Sequence, residues 1–319
     1  MLQAAMVLWI ASAMLILFEQ RIVRMILYFS VFSLFSAVVF LLLGAPDVAM
    51  AEAAIASFVT IFFLSCFEKY STFDNTEPAF SGFSTASAWR WLKKSILPFG
   101  FVCILAALFF LSVQSDAPNT YLKYQYATRF YADVGGINAV TAIYLGYRVY
   151  DTLFEALILL VGVLAVAHMS YHKEEHVDDG KHSNIERYKV AVIPIKIIAP
   201  LLLVFGIYLT VNGAFSPGGG FQGGVVIASF FVCRYMIYDL YDIPVEAIAI
   251  GKKIVFIVLV VSATFVVFLG ATLHLPMAQQ PMVQVIYLVL MNLLIGAKVA
   301  CGFIVLFYRY IAIEGKETS

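Results

Sequence analysis

Long apolar stretches are the feature that most limits what this chain can fold into. Several run for roughly 18 residues or more, which is the length that a helix needs to cross the hydrocarbon core of a bilayer. Of the 319 residues, 62% are hydrophobic and 13% are charged, whereas a soluble domain of this size needs far more charged surface. Because the bilayer interior offers no water to backbone amides, each stretch must be a helix. We therefore predict an all-α, multi-pass membrane protein.

The length of each apolar stretch and its charged flanks define the predicted spans, because a segment that is apolar on every side gives no useful periodicity. About nine transmembrane helices are expected. They cover residues 1–18, 22–43, 47–67, 95–113, 151–170, 191–211, 220–238, 252–270 and 283–308. No basic residue precedes the first stretch and no small-residue cleavage site follows it, so we interpret it as a retained helix. The aromatic-rich connection 114–150 is expected to lie on the membrane surface.

Lysine and arginine predict the orientation, because cytoplasmic loops are enriched in both. With the N-terminus outside, fifteen of the twenty basic residues lie on the cytoplasmic side. Only Lys123, Arg129 and Arg148 lie outside, and Lys196 and Lys298 fall inside helices. An odd number of helices then leaves the C-terminus in the cytoplasm. The predicted location is the inner, or plasma, membrane.

Cysteine spacing gives no support for a metal or redox centre. The four cysteines lie singly in apolar segments and none forms a Cys-x-x-Cys pair. We also find no Ser/His/Asp or Cys/His set that could act as a hydrolase, so no catalytic residues, metal ligands or cofactors are predicted in this chain. The formal net charge is zero, so no bulk charge attracts nucleic acid.

A glycine-rich segment, Ser216-Pro-Gly-Gly-Gly-Phe-Gln-Gly-Gly224, is the most distinctive motif. It contains a G-x-G-x-x-G pattern, but a dinucleotide site requires a preceding strand, and here a membrane helix precedes it. We expect Pro217 to begin a helix after a tight reversal. Small residues four apart let a neighbouring helix approach closely. The predicted helix-packing motif comprises Pro217, Gly218, Gly219, Gly220, Gly223 and Gly224.

Ionisable residues inside apolar segments are costly and most often functional. Lys298 is the deepest, eleven residues before Arg309, or roughly 16 Å from the inner boundary at 1.5 Å per residue. It is predicted to serve ion translocation, and the alternative is a pairing with a partner's carboxylate for assembly alone. Lys196 lies about two turns inside its helix, so it fits either an ion path or an anchor at the membrane surface.

Three carboxylates complete the predicted ion path. Asp47 lies in the first turn of the third helix, where a contact with the helix dipole is the alternative. Glu52 lies a turn deeper, and Glu155 has the corresponding depth on the fifth helix, where an interhelical salt bridge is the alternative. Arg148 and Asp151 are secondary candidates.

Histidines are weaker candidates. His168 is a secondary candidate for the ion path and could equally be an interface residue. His172 and His176 have the i, i+4 spacing of helical metal ligands, but a solvated charged loop explains them better.

Three stretches of the chain resemble components of known ion-translocating complexes. Pro217 to Gly224 is similar to the signature of the MnhB family of Mrp-type multisubunit Na⁺/H⁺ antiporters, over about 185–310. Ala45-Pro-Asp-Val-Ala-Met-Ala-Glu-Ala-Ala54 resembles the hydrogenase component MbhD. Residues 138–167 resemble its neighbour MbhE, although Gly146-Tyr147-Arg148-Val149 lacks an acidic residue and a glycine of the usual pattern.

The resemblance implies three modules: an MbhD-like module with a linker at 1–94, an MbhE-like module at 95–184 and an MnhB-like module at 185–319. It implies a membrane subunit of an Mrp-related complex that moves Na⁺ and H⁺, coupled to a redox arm such as a hydrogenase. Implied partners are antiporter-like and small MnhC-like chains and the lipid bilayer, with iron–sulfur or nickel–iron centres only in partner subunits. Two rival interpretations remain, a single-chain transporter of a small solute and a purely structural assembly subunit.

Overall fold

The fold is that of a computed structural model, which describes residues 1–19, 21–71, 120–171, 189–235, 237, 244–272 and 281–312. These residues form ten α-helices and one π-helical turn, Ile143–Tyr147. The α-helices are α1 Leu2–Phe18, α2 Ile22–Leu42, α3 Pro46–Ser71, α4 Thr120–Val134, α5 Ala139–Ala142, α6 Val149–Tyr171, α7 Lys189–Asn212, α8 Gly220–Tyr235, α9 Val245–Thr272 and α10 Pro281–Ala312.

Six of the described helices are long and apolar enough to cross a membrane. They are α2, α3, α6, α7, α9 and α10, and the shorter α1 is also apolar. The prediction of an all-α, multi-pass membrane protein is therefore confirmed for the described residues. The predicted helix 95–113 and most of the connections 68–94 and 171–190 lie outside those residues, as do His172 and His176.

The chain divides into two compact units, one of Met1–Lys69 with Arg129–Ser319 and one of Tyr70–Thr128. In the second unit, the described start of α4 exposes Tyr121, Leu122 and Tyr124. All of the candidate ion-path and glycine-motif residues belong to the first unit.

Helix α10 is the central helix of the first unit. Of its apolar window 61% is buried, against 17–28% for the other five spans. Helices α6, α8 and α9 pack along it, and α8 also packs against α7. Phenylalanines attach α3 to the same helix, since the Phe58 and Phe303 ring centroids lie 4.8 Å apart. A helix surrounded on several sides is the element on which polar groups can be shielded from lipid.

Several predicted boundaries differ from the observed ones. Helix α9 begins at Val245, seven residues before the predicted start, because apolar residues follow Pro244 directly and the pair Lys252-Lys253 does not interrupt the helix. Helix α8 ends at Tyr235 rather than 238. Pro217 does not begin that helix, because Gly218 and Gly219 have φ angles of 135° and 154° and helical geometry starts only at Gly220.

The connection 114–150 is only partly a surface element. Its α4 part exposes tyrosines, as expected, but the following residues enter the core, where Ala142 and Leu145 are fully buried. A π-helical turn leaves carbonyl groups outside the regular ladder, and here side chains satisfy two of them. Thr152 Oγ1 donates to the Tyr144 carbonyl at 2.7 Å, and Tyr287 Oη donates to the Leu145 carbonyl at 3.3 Å.

Candidate functional site

The glycine segment lies where three helices come close. A Cβ atom on Gly220 would lie 2.3 Å from the Asn292 carbonyl oxygen of α10, and one on Gly224 would lie 2.6 Å from the Gly296 carbonyl oxygen. A Cβ atom on Gly223 would lie 2.0 Å from Thr210 Oγ1 of α7. Two faces of α8 therefore need glycine, one against α10 and the other against α7.

Asp47 holds the loop that precedes α8. The Gly218 amide donates to Asp47 Oδ1 at 3.0 Å, and Asn138 Nδ2 donates to the same oxygen at 3.1 Å. Asn138 Nδ2 also lies 3.1 Å from the Gly213 carbonyl and 2.9 Å from the Ser216 carbonyl, while its Oδ1 caps α5. Because Asp47 is only 5% exposed, these donors replace water around its carboxylate.

Asn292 holds the start of α8 from the other side. Its Oδ1 accepts from the Gly220 amide at 3.0 Å and from Tyr144 Oη at 2.7 Å. Burial raises the pKa of Tyr144, which lies outside the six long apolar helices, to about 12, so the phenol remains a donor at physiological pH. Asn292 Nδ2 is buried and has no hydrogen-bond partner among the described residues.

Lys298 lies two turns further along α10 and is 1% exposed. Its Nζ has no hydrogen-bond partner among the described residues, and it lies 5.1 Å from the ring centroid of Phe256 of α9. A ring face within about 6 Å attracts a cation, though more weakly than a carboxylate does. The ammonium group is therefore shielded from lipid but not neutralised by a hydrogen-bonded ion pair.

Glu155 of α6 is the carboxylate that acts on this lysine. The two side chains interact electrostatically, although no salt bridge within 4.0 Å joins them in the described residues. Glu155 lies on an exposed part of α6. A second buried cation, Lys252 of α9, is 2% exposed and also interacts with Lys298. Two predicted ion-path residues, Lys298 and Glu155, thus interact with each other, and Lys298 also interacts with Lys252. The predicted spans place Lys252 at the edge of the bilayer.

The remaining candidates lie apart from this pair. Glu52 is half-buried on α3 and accepts a short hydrogen bond from Ser33 Oγ of α2. Lys196 lies exposed on α7, with no ion pair or hydrogen bond in the described part of the chain. Arg148 and Asp151 are exposed and form a salt bridge with each other. His168 lies near the end of α6, beside Lys252.

Family models match two separate parts of the chain. Residues 7–71 match the family named MbhD, for a subunit of MBH. Residues 190–305 match the domain related to the MnhB subunit of Na⁺/H⁺ antiporters. The chain thus joins an MbhD domain to an MnhB-related domain. Asp47 and Glu52 belong to the MbhD domain, whereas the glycine segment, Lys252 and Lys298 belong to the MnhB-related domain.

Curated relatives of this chain are named as putative or probable antiporter subunits. It is 28% identical over 165 residues to a putative antiporter subunit mnhA2 of Staphylococcus haemolyticus, an alignment that covers 52% of this chain and 19% of the relative. It is 21% identical to a probable K⁺/H⁺ antiporter subunit of Rhizobium meliloti, over 64% of this chain and 22% of the relative. A putative antiporter subunit mnhB2 of S. haemolyticus is 35% identical over 21% of this chain and 48% of its own length. The chain thus spans about a fifth of the larger relatives and half of the smaller one.

Two solved structures share the fold. A chain of the Mrp complex from Dietzia sp. DQ12-45-1b superposes with a TM-score of 0.72 and 17% identity, over 97% of this chain and 34% of that chain. A chain of the membrane-bound sulfane sulfur reductase, an archaeal respiratory membrane complex, superposes with a TM-score of 0.53 and 21% identity, over 68% of this chain and 97% of that chain. At these identities the similarity establishes the fold of this chain and nothing further.

Several site residues are absent from the sequence predictions. Asn138 precedes Ala-Val-Thr, where a helix-capping residue is expected, and Asn292 is a polar residue in a long apolar helix. Both could therefore have been identified from the sequence. Lys252 could not be identified from the sequence, because two adjacent lysines are typical of a cytoplasmic flank. It lies within the membrane span only because α9 begins earlier than predicted. Tyr144 carries no signal, because tyrosines are common throughout this connection.

Proposed function

We propose that this chain is a membrane subunit of a multisubunit complex that translocates cations and protons across the plasma membrane. The fused MbhD and MnhB-related domains support this proposal, since each curated relative above is named as an antiporter subunit. The complex would exchange Na⁺ and H⁺, and any iron–sulfur or nickel–iron centre would belong to partner subunits. This chain would supply part of the ion path without a cofactor of its own.

The observation that carries the proposal is the electrostatic interaction between Lys298 of α10 and Glu155 of α6, two helices that pack against each other. An ammonium group without a hydrogen-bonded partner is costly inside a bilayer, and groups of this kind usually line ion paths or wet cavities. Lys298 is fully shielded by its own chain, while Glu155 is open on the surface of α6. A carboxylate open at that depth needs water or a partner subunit to solvate it, so the pair is well placed to exchange protons with either.

The remaining predictions on topology and modules become part of this proposal. Nine transmembrane helices, with the N-terminus outside and the C-terminus in the cytoplasm, agree with the bias of basic residues. The MbhD-like module would cover 1–94, an MbhE-like module 95–184 and the MnhB-related module 185–319. Glu155 would then belong to the middle module and Lys298 to the last, so the proposed path crosses a module boundary.

Partner subunits are proposed from the surface of the bundle. Exposed aliphatic side chains cover α6, α7 and α9, for example Ile158 at 73% and Ile197 at 63%. Such surfaces require lipid or other membrane helices. Antiporter-like and MnhC-like chains are the proposed partners, with the bilayer covering the rest.

A second candidate function is supported by the glycine segment. Close packing of α7, α8 and α10 at Gly220 and Gly223 would suit a subunit whose task is to hold the complex together. The test is to purify the complex in mild detergent, identify its subunits, and measure sodium-dependent proton movement in vesicles from cells with and without this chain. Assembly without transport in the deletion strain supports an ion-path subunit, and loss of the other subunits supports the assembly role.

A further inference from the structure

A basic cleft lies between α6, α9 and α10, at the end of the bundle where Arg309 pairs with Glu246 at 2.9 Å. Its volume is about 340 Å³, which is room for about ten water molecules at roughly 30 Å³ each. The side chains that line it are Leu164, His168, Glu246, Ala249, Ile250, Lys252, Lys253, Val305 and Arg309. A cleft of this size, with five ionisable residues among the nine that line it, can hold water.

Lys252 connects this basic cleft to the interior. It lines the cleft and yet is 2% exposed, and it makes no hydrogen bond or ion pair within the described residues. It lies six residues beyond Glu246 on α9, about 9 Å deeper at 1.5 Å per residue. The water of the cleft is therefore the natural solvent for this ammonium group.

Lys298 lies one further step inwards. Phe256, whose ring faces the Lys298 ammonium at 5.1 Å, follows Lys252 by one turn of α9, about 6 Å. The two lysines also interact electrostatically. The buried cations are thus staggered along the bundle axis, the first in the wall of the cleft and the second outside its lining.

Glu155 lies at the inner end of this series. It precedes His168, which lines the cleft, by thirteen residues of α6, about 20 Å. Lys298, at about 16 Å from Arg309, is slightly nearer to the cleft. The three groups therefore lie at increasing depth, and each interacts electrostatically with the next.

The charge of the cleft distinguishes between the two ions of the proposed function. Lys252, Lys253 and Arg309 outnumber its one carboxylate, Glu246. Na⁺ prefers carboxylate and carbonyl oxygens, and a surplus of fixed positive charge repels it. A proton, by contrast, can transfer between water and amine groups without a metal cation entering the cleft.

We infer that the basic cleft is a proton access route, closed to Na⁺, which leads through Lys252 and Lys298 to Glu155. This inference rests on the proposed function, because it names the ion that reaches the Lys298–Glu155 pair. The Lys298 ammonium group gives its proton to the Glu155 carboxylate, the Lys252 ammonium group then protonates the neutral Lys298 amine, and cleft water returns a proton to Lys252. Each lysine thus ends in its charged form, and Glu155 releases the proton to the next acceptor.

The test compares variants in the intact complex reconstituted in vesicles, with proton movement and its dependence on Na⁺ concentration measured together. Lys252→Met should slow proton movement about a hundredfold without changing the Na⁺ concentration that gives half-maximal rate. Arg24→Met removes an exposed positive charge on α2, away from the cleft, and should change neither value. Normal proton movement in Lys252→Met, or a shift only in its Na⁺ dependence, would overturn the inference.

A second measurement covers the case in which Lys252→Met does not assemble. Cysteines are placed at Ala249, which lines the cleft, and at Ala247, which is exposed on α9 and does not line it. A bulky thiol reagent should stop proton movement at position 249 and leave it unchanged at 247. Equal effects at both positions would refute the access route. If Lys298→Met moves protons normally, the proposed function itself fails, whatever the cleft variants do.

Discussion

The backbone amide of Gly218 donates a 3.0 Å hydrogen bond to Oδ1 of Asp47, a residue 171 positions earlier in the chain. This bond joins the MbhD domain to the MnhB-related domain at the loop before α8. Asn138 donates to the same oxygen at 3.1 Å and so adds the intervening segment to the junction. The contact gives Asp47 a structural task in addition to, or in place of, the predicted role in ion translocation.

Replacement of Asp47 tests this structural task. Asp47→Ala leaves the Gly218 amide buried without its acceptor and removes one of the three acceptors around Asn138 Nδ2, so the complex should lose about 1–3 kcal/mol of stability. Asp47→Asn keeps one acceptor oxygen and should assemble better. Thermal stability in detergent and recovery of the other subunits are the measurements, with the exposed Asp151→Ala as control. Normal recovery of Asp47→Asn together with lost transport would instead support the predicted role of Asp47 in ion translocation.

Alanine at the glycine motif should disturb assembly. Gly220→Ala would place a Cβ atom 2.3 Å from a backbone oxygen of α10, and Gly223→Ala would place one 2.0 Å from Thr210 Oγ1. Overpacking of this kind typically costs about 1–3 kcal/mol, so recovery of the whole complex should fall. Gly251→Ala is the matched control, because its Cβ would meet nothing within 4 Å. Equal recovery of the complex in all three variants would contradict a packing role for the glycine motif.

The role of Glu52 in ion translocation can be tested by removing its charge and its hydrogen bond in separate variants. Glu52→Gln keeps an oxygen for the Ser33 hydroxyl but removes the carboxylate, so assembly should persist while transport falls. Ser33→Ala removes the hydroxyl and keeps the carboxylate, so it should transport at close to the normal rate. Sodium-dependent proton movement in vesicles checks both. If transport follows the hydroxyl and not the carboxylate, Glu52 only joins α2 to α3.

Accessibility of single cysteines tests the proposed orientation. In a variant without native cysteines, cysteines at positions 80 and 180 should resist an impermeant thiol reagent in intact cells, and one at 120 should react. Permeabilised cells provide the control, since all three should then react. Labelling of position 180 from outside would show that the proposed number of transmembrane helices is wrong.

The all-helical, membrane-spanning character was predictable because it depends on composition and length alone. The extent of α9 was not, because lysines at 252 and 253 resemble the charged flank of a span. In the structure Lys252 is only 2% exposed, and this burial depends on how α9 packs against its neighbours, which a local sequence pattern does not predict.

The candidate site was partly predictable. Lys298 and Glu155 could be found because charged residues stand out in apolar helices. Their proximity could not be predicted, since it depends on how α6 and α10 pack. The polar cluster of Asn138, Tyr144 and Asn292 forms through contacts between residues up to 148 positions apart, which no local pattern reports.

The most direct test of an ion path through Lys298 and Glu155 is sodium-dependent proton movement in vesicles that carry Lys298→Met or Glu155→Gln, with subunit recovery measured on the same membranes. Methionine and glutamine approximate the shapes and remove the exchangeable charges. We predict normal recovery and a fall in transport of about a hundredfold in each variant. Normal transport in both assembled variants would contradict an ion path through this pair.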